Sequence, residues 1–258
     1  MKNLNSGLVA CDCSEGVMEI SLCRPDRKNA LNQAMYRELA DVIGQAVADA
    51  DTRVLLLSGS DGCFTSGNDL VDFANAPELI SGVNPGANPI VRFMTALAHC
   101  PKPVVVAVEG VAVGIGTTLL LHADLVYAAP DASFRLPFAN LGLCPEYASS
   151  WLLPRLVGHA KAAEWLLLGE FFTAEDARAA GLINGIVDKP VVVARNQAQK
   201  LASQPPVAVT TAKALMKQGS ATEIESAMQR ELREFARALQ GDEFKAAVQA
   251  FFNKQNRA

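Results

Sequence analysis

Two glycine-containing turns constrain this chain more than any other feature of its sequence. The first lies at residues 64–70 (FTSGNDL), and the second begins at residue 110 (GVAVGIGTT). Each follows an apolar, β-branched run typical of a buried strand and leads into a segment that can begin a helix, where backbone N–H groups lack helical partners. Two such turns that face each other would form an oxyanion hole, which stabilises a negatively charged oxygen by about 3 to 4 kcal/mol per donor. We therefore expect a site that holds negative charge on a carbonyl oxygen.

Apolar strands and amphipathic helices alternate over the first 190 residues. Apolar runs at 17–22, 54–57 and 104–108 predict buried strands, and apolar residues recur at helical spacing between Leu31 and Val47. Short strands are predicted at 125–128, 133–135 and 182–187, and helices at 158–168 and 173–180, the second opened by a Thr173 cap with Asp176 three residues on. Beyond about residue 190 only helical spacing remains. We predict an α/β core over residues 1–190, which carries the functional site, and a helical region over residues 191–258, which packs against a neighbouring subunit.

The composition limits the kinds of partner. The chain has 258 residues, half of them apolar, with a formal net charge of −4. This charge argues against nucleic acid or an anionic membrane surface as a partner, and no apolar run reaches the roughly 18 residues of a membrane span. Six cysteines are scattered without the spacing of a metal site. We expect reduced thiols, no metal and a cytoplasmic protein.

Other chemistries that use glycine turns lack their required residues. A phosphate-binding loop needs a lysine after its last glycine, and neither turn has one. The dinucleotide-binding pattern needs a third glycine three residues after Gly116, and that position is not glycine. The nucleophile turn of serine hydrolases is absent. His99, His122 and His159 lack the spacing of a catalytic triad or metal site, so we predict structural roles for them.

Five motifs together resemble those of one family. In chain order they are RPDRKNAL at 24–31, FTSGNDL at 64–70, PVVVAVEGVAVGIG at 103–116, LPRLVG at 153–158 and ARAAGLI at 177–183. Their order resembles that of the crotonase superfamily, also called the enoyl-CoA hydratase/isomerase family. The resemblance implies a spiral of ββα repeats, followed by a helical region that builds homotrimers or hexamers. It also implies an acyl-CoA thioester as substrate, with coenzyme A as part of that substrate and no separate cofactor.

The same resemblance implies the residues of an oxyanion hole. Its two donors would be the backbone amides of Asn68 and Ile115, with Gly67 and Gly114 beside them as substrate-binding positions. Family members usually carry alanine or glycine at the two donor positions. Because the contact is made through the backbone, the larger side chains of this chain do not remove it.

Four further polar residues are implied to bind substrate. Arg24 and Lys28 follow the first strand, where the family often meets the phosphates of coenzyme A, although a charged cluster at the start of a helix explains them equally well. The Ser66 backbone would contact the adenine. Asp69 follows the first oxyanion amide and is expected to cap the next turn.

The acid/base residues distinguish one reaction of the family from another. Hydratases use two glutamates, and the corresponding positions here are Thr118 and Phe138, which cannot exchange a proton usefully near neutral pH. Glu146 follows in the segment FANLGLCPE, which resembles Δ3,Δ2-enoyl-CoA isomerases, particularly the peroxisomal type, where a glutamate at this place is the sole base. The resemblance therefore implies an isomerase that shifts a 3-enoyl-CoA double bond to 2-enoyl-CoA through a dienolate, with Glu146 as its single acid/base.

Two opposing effects act on the Glu146 carboxyl. Phe138, Leu141 and neighbouring apolar residues would line the site, and desolvation raises the pKa of a carboxyl group. A position at the start of a short helix would lower that pKa, because a helix N-terminus favours the anion. We expect desolvation to dominate if the pocket closes over the acyl chain.

Two alternatives remain open from the sequence. One is an enoyl-CoA hydratase or related acyl-CoA lyase that uses Glu146 and a bound water. The other is a non-catalytic acyl-CoA-binding protein, since both hydratase carboxylates are missing. The chain length of the acyl group depends on how the segment near residues 71–90 folds, and that segment has no clear pattern.

Overall fold

Two β-sheets carry the turns that the sequence singles out. The computed structural model describes residues 2–4, 6–75 and 88–255. The strands are β1 (Lys2–Asn3), β2 (Val9–Ser14), β3 (Val17–Leu22), β4 (Val54–Ser58), β5 (Val104–Val108), β6 (Val111–Val113), β7 (Leu125–Ala128), β8 (Ser133–Arg135), β9 (Phe171–Thr173) and β10 (Gly185–Ile186). In the larger sheet the order is β1–β2–β3–β4–β5–β7–β10, antiparallel from β1 to β3 and parallel from β3 to β10; the smaller sheet has the order β6–β8–β9.

Helices cover both faces of the larger sheet and form the end of the chain. They are α1 (Gln33–Ala48), α2 (Leu70–Asn75), α3 (Pro89–Ala98), α4 (Ile115–Thr118), α5 (Ser149–Val157), α6 (His159–Ala163), α7 (Ala174–Ala179), α8 (Pro190–Ala202), α9 (Pro206–Gln218), α10 (Ala221–Gln240) and α11 (Asp242–Gln255). Short 3-10 turns lie at Pro25–Arg27, Leu119–His122 and Ala139–Leu141. None of the helices in the described ranges combines the length and the apolar character that a membrane span requires.

Strands β4 and β5 are buried along their whole length because the larger sheet is covered on both faces. Side chains alternate between the faces of a strand. Leu55 and Leu57 accordingly lie in the main core, to which α1 and α3 contribute, whereas Val54 and Leu56 lie in a second core. Helix α8 closes that second core with three alanines, Ala194, Ala198 and Ala202, which let its backbone approach the sheet closely.

Consecutive strands pass from the larger sheet to the smaller one, which produces the spiral. Strand β5 leads into β6 through Gly110, whose φ of 61° is left-handed and where a Cβ atom would lie 2.5 Å from the Gly62 carbonyl oxygen. Strand β7 likewise leads from the larger sheet into β8 of the smaller one, through residues 129–132, and β6 pairs with β8 in parallel. The predicted α/β spiral with C-terminal helices is confirmed.

Most predicted elements occur at their expected places, with two differences. The single helix expected over 158–168 is divided into α6 and a π-helical turn, Glu164–Leu168, which places Trp165 against Phe172 with ring centroids 3.8 Å apart. The strand expected over 182–187 is reduced to β10. Residues 76–87, which hold most of the segment expected to set acyl-chain length, lie outside the described residues. The domain boundary at residue 190 stays a prediction; α8, just beyond it, packs on the sheet.

Candidate active site

The two glycine turns lie side by side. The Thr65 amide donates to the Val111 carbonyl at 2.9 Å, and the Val113 amide donates to the Thr65 carbonyl at 3.1 Å. Gly67 has a φ of 91°, and a Cβ atom there would lie 2.6 Å from the Val113 carbonyl oxygen. Only glycine therefore lets the first turn approach the second this closely.

The amides of Asn68 and Ile115 are left available by this arrangement. Leu31 pairs with both neighbours of Asn68, since its N–H donates to the Gly67 carbonyl at 2.8 Å and its carbonyl accepts from Asp69 at 2.9 Å. Ile115 is the first residue of α4, after Gly114 with its φ of 57°. Neither amide has an acceptor elsewhere in the described part of the chain. The two turns thus supply two backbone donors for a ligand oxygen.

The positions of the two hydratase glutamates hold side chains that carry no exchangeable acid. Thr118 is fully buried, and its hydroxyl lies 3.5 Å from the Ile115 carbonyl oxygen. Phe138 lies in the main core. Leu141 is half-buried at the end of the following 3-10 turn, where its N–H donates to the Phe138 carbonyl at 3.0 Å. A mechanism that uses two carboxylates at these positions is therefore not available.

Glu146 is a buried acid with an unsatisfied oxygen. Only 6% of the residue is exposed, and its Oε1 atom has no hydrogen-bond partner among the residues that the structure describes. Burial, followed by repulsion from Glu231, raises the pKa of Glu146 to about 8. The expected dominance of desolvation is confirmed. Glu146 is not at the start of the helix, however, because α5 begins only at Ser149.

The backbone after Glu146 is held in an uncommon conformation. Tyr147 and Ala148 both have left-handed φ values, 62° and 57°, which cost roughly 1 to 2 kcal/mol per residue. His122 donates from Nε2 to the Tyr147 carbonyl at 2.8 Å and stacks on the Tyr147 ring with centroids 3.9 Å apart. Burial lowers the pKa of His122 to about 3, so the ring is neutral. The Tyr147 hydroxyl donates to the Met94 carbonyl at 2.8 Å.

A second buried glutamate contacts the same segment. Glu231, in α10, accepts hydrogen bonds from the Ala148 amide at 2.5 Å, the Ser150 amide at 2.8 Å and the Ser150 hydroxyl at 2.5 Å. The C-terminal helical region therefore reaches the backbone from which Glu146 projects.

Tyr36 joins the first oxyanion turn to the interior of the protein. Its hydroxyl donates to the side-chain oxygen of Asn68. Burial, and after it the charge of Glu146, raises the pKa of Tyr36 well above its ordinary value. The neutral phenol is thus a fixed donor that orients the residue whose amide faces the site.

The four polar residues implied to bind coenzyme A lie together at the edge of the first turn. Arg24 forms a 2.7 Å salt bridge with Asp69 and donates to the Ala30 carbonyl at 3.0 Å, so its guanidinium is engaged within the protein. Asp69 also caps the next turn, accepting from Val71 at 2.9 Å. Lys28 is exposed, and its carbonyl accepts from the Ser66 amide at 2.9 Å.

Sequence reasoning did not assign Tyr36 or Glu231 to the site, and it assigned His122 only a structural role. Each makes its contact with a residue 25 to 83 positions away. A periodic pattern identifies all three positions only as helical or turn residues, so no local signal marks them. The sole hint is a glutamate on the apolar side of an amphipathic helix, between the buried residues Ala227 and Phe235. No cluster of metal-ligating side chains occurs within the described ranges.

Comparison with known proteins agrees with this geometry. Residues 12–258 match the family described as Enoyl-CoA hydratase/isomerase. The chain is similar to 1,2-epoxyphenylacetyl-CoA isomerase of Escherichia coli K12, with 37% identity over 94% of both chains. It is 40% identical to enoyl-CoA delta isomerase 2 of Rattus norvegicus over 66% of this chain, and spans 44% of the rat protein's length.

A solved structure extends the likeness to three dimensions. The structure of Pseudomonas aeruginosa OdaA superposes with a TM-score of 0.90 at 43% identity, and the match covers 95% of this chain and 98% of that one. A buried acid, two free amides on adjacent glycine turns, and a match over nearly the whole chain lead to one conclusion. This protein belongs to the enoyl-CoA hydratase/isomerase family, the crotonase superfamily.

Proposed function

We propose that this protein is an acyl-CoA isomerase that moves a double bond from C3–C4 of a 3-enoyl-CoA to C2–C3. The observation that carries the proposal is the buried carboxyl group of Glu146, which has an unpartnered oxygen and a pKa raised to about 8, in a site where Thr118 and Phe138 occupy the hydratase positions. One acid/base group is what this reaction needs, whereas hydration by the family's usual route needs two.

The reaction conserves all atoms of the substrate. The amides of Asn68 and Ile115 bind the thioester oxygen, and the Glu146 carboxylate removes a proton from C2. The electron pair moves into a dienolate whose oxygen is stabilised by the two amides. The neutral Glu146 then returns the proton to C4, which leaves the double bond at C2–C3. Because C2 and C4 flank one carbon, a single group above the chain reaches both.

A pKa near 8 suits a group that both takes and gives a proton near neutral pH. Since the base form of Glu146 accumulates as pH rises through this value, kcat/KM is expected to rise over the same interval.

The wider setting belongs to the same proposal. The product, a 2-enoyl-CoA, is the form that β-oxidation consumes, so the enzyme would serve the breakdown of unsaturated acyl chains in the cytoplasm. Lys28 and the Ser66 backbone would contact the coenzyme A moiety, while the Arg24–Asp69 pair would hold the shape of the turn beside it, and no separate cofactor is needed. A homotrimer or hexamer belongs to the same proposal; the exposed apolar side chains on α9, namely Val207, Leu215 and Met216, support packing of this helix against another subunit.

The test is conversion of a 3-enoyl-CoA by the wild type and by Glu146→Gln. We expect kcat to fall by about 10²- to 10⁴-fold, the usual contribution of general acid–base catalysis, while binding of the CoA ester is retained. Glu243→Gln, an exposed glutamate at the start of α11, is the matched control and should keep the wild-type rate. Equal rates for wild type and Glu146→Gln would reject the proposal.

Two other outcomes would identify the alternatives. Hydration of crotonyl-CoA at a rate that rivals isomerisation would favour a hydratase or lyase that uses Glu146 and water. Tight binding of CoA esters without exchange of α-protons in deuterated water would instead favour a non-catalytic binding protein.

A second substrate is suggested by the full-length match to 1,2-epoxyphenylacetyl-CoA isomerase, which covers 94% of both chains. Such a substrate would present its thioester to the same two amides, while the rearranging bonds lie in the ring. Turnover of 1,2-epoxyphenylacetyl-CoA that exceeds turnover of 3-enoyl-CoA would favour this substrate.

A further inference from the structure

Glu231 lies in the C-terminal helical region, yet its carboxylate is buried beside Glu146. It is 7% exposed and accepts three hydrogen bonds, all from Ala148 and Ser150. These residues lie 81 to 83 positions away in the sequence. A buried carboxylate with this many donors is held in one place, because each donor would be left unpaired if it moved.

The helix after Glu146 cannot cap itself. The N-cap position of α5 is Ala148, which has no side-chain acceptor and a left-handed φ of 57°. The first N–H groups of a helix need acceptors, and a negative charge there is favoured by the helix dipole. Glu231, which belongs to α10, supplies both the hydrogen-bond acceptors and the negative charge. It thereby stabilises the two left-handed residues that separate Glu146 from α5.

We propose that Glu231 is a positioning residue for Glu146: its carboxylate fixes the Tyr147–Ala148 turn from which Glu146 projects. The charge of Glu231 also raises the pKa of Glu146, after the larger effect of burial. This inference rests on the proposed function, in which Glu146 is the base. It gives the helical C-terminal region a part in catalysis, because the site is incomplete without α10.

The other titratable groups near Glu146 are neutral at working pH. Burial is the main cause that raises the pKa of Tyr36 and Tyr147 well above 10, and that of Cys144 to about 11. His122, stacked on Tyr147, is also neutral. Glu231 is therefore the charge that acts on Glu146 among the described residues, in agreement with its repulsion of that group. Burial raises the pKa of Glu231 itself, while the hydrogen bonds from Ser150 and Ala148 and, last, the charge of Arg230 oppose that rise.

The experiment compares Glu231→Gln with the wild type. Glutamine keeps the size and one acceptor oxygen but removes the charge. We expect the rising limb of the pH profile of kcat/KM to move about one unit to lower pH. We also expect kcat at its plateau to fall about 10- to 100-fold through misplacement of the base, with KM changed less than about twofold. Glu234→Gln, an exposed glutamate on the same helix, should leave both quantities unchanged.

A second measurement separates this inference from the proposed function. The protonated Glu146 carboxyl is followed by infrared titration without substrate and is assigned by its loss in Glu146→Gln. A lower titration midpoint in Glu231→Gln supports the inference even if Glu146→Gln remains active. An unchanged midpoint together with an unchanged kcat overturns it.

If Glu231→Gln does not fold, Glu231→Asp takes its place. Aspartate keeps the charge but is one methylene shorter. The midpoint of Glu146 should then stay near the wild-type value while kcat falls about tenfold. Wild-type kcat in Glu231→Asp would overturn the inference.

Discussion

Glu146 and Glu231 are two carboxylates with almost the same burial, 6% and 7% exposed, and opposite hydrogen bonding. Glu231 accepts three hydrogen bonds, from two backbone amides and a hydroxyl. Glu146 has an oxygen without any partner in the described part of the chain. Burial raises the pKa of both, but the donors to Glu231 counteract this effect. Burial without donors thus leaves the pKa of Glu146 raised to about 8, whereas at Glu231 hydrogen-bond donors oppose the effect of burial.

The unsatisfied oxygen of Glu146 carries a cost. Leaving a buried polar group without a partner costs about 1 to 3 kcal/mol, and more for a charged one. Such a group persists where its surroundings hold it in place, and here His122, Tyr147 and Glu231 fix the adjoining backbone. Glu231, with its three hydrogen bonds, thus holds the backbone next to Glu146, whose oxygen has no partner. Substitutions at the two residues test this contrast.

The largest expected effect concerns the pH dependence of stability. In the folded protein the pKa of Glu146 is about 8, against an ordinary value of 4.5. The folded state therefore binds more protons in this interval, and the wild type loses stability as pH rises through it. The loss is on the order of 4 kcal/mol between pH 5 and 8. In urea unfolding at both pH values, the loss in the wild type should exceed the loss in Glu146→Gln by about this amount; parallel behaviour would contradict it.

Removal of the Glu231 carboxylate should lower the free energy of unfolding by less than the pH effect at Glu146, and it should also lower the rate. Glu231→Ala leaves the Ala148 amide buried without an acceptor. We expect the free energy of unfolding to fall by about 2 to 3 kcal/mol, measured by urea denaturation at pH 7. Glu234→Ala, at an exposed position of the same helix, should change it by less than about 0.5 kcal/mol. Similar values for the two variants would remove the distinction between Glu231 and a surface glutamate.

Tyr36 offers a smaller test on the other side of the site. Tyr36→Phe removes the hydrogen bond to the Asn68 side chain and loosens the first oxyanion turn. We expect kcat to fall about fivefold, equivalent to about 1 kcal/mol, without a change in the position of the pH limb. Tyr127→Phe, which changes a half-exposed tyrosine packed against the second core, is the control. A shift of the rising limb of the pH profile in Tyr36→Phe would show that Tyr36 acts on Glu146 instead of on the first oxyanion turn.

The smallest effect is expected at a local helix cap. Thr173 caps α7 through a capping box with Asp176, at 3.1 Å to its amide. Thr173→Ala should lower stability by about 0.5 to 1 kcal/mol and leave kcat unchanged. Thermal unfolding and steady-state rates measure both. A loss of kcat here would show that any cap, near or far, affects the reaction, and would weaken the special role of Glu231.

Much of the fold was accessible from the sequence. Strands β3, β5, β7 and β8 lie where their apolar patterns predict them, and the Thr173 capping box occurs as expected. These features depend on residues close in sequence. The division of residues 158–168 between a helix and a π turn was not predicted, because it depends on the stacking of Trp165 against a ring outside the segment.

The residues of the candidate site also divide into those that the sequence indicates and those that only the folded chain brings together. The glycine turns follow from local patterns, and the resemblance to the family implied Asn68, Ile115 and Glu146. The residues that hold the backbone of the site in place have no such signal in the sequence. Tyr36 reaches Asn68 across 32 positions and Glu231 reaches Ala148 across 83, so only the folded chain brings these groups into contact.

The sequence by itself determined the alternation of strands and helices and the two glycine turns, because side-chain periodicity and glycine act on nearest neighbours, and its resemblance to one family implied the spiral and Glu146. The tertiary structure alone decided the pKa of that acid. The pKa of a carboxyl depends on water excluded and on charges and donors gathered around it, and these come from helices far apart along the chain.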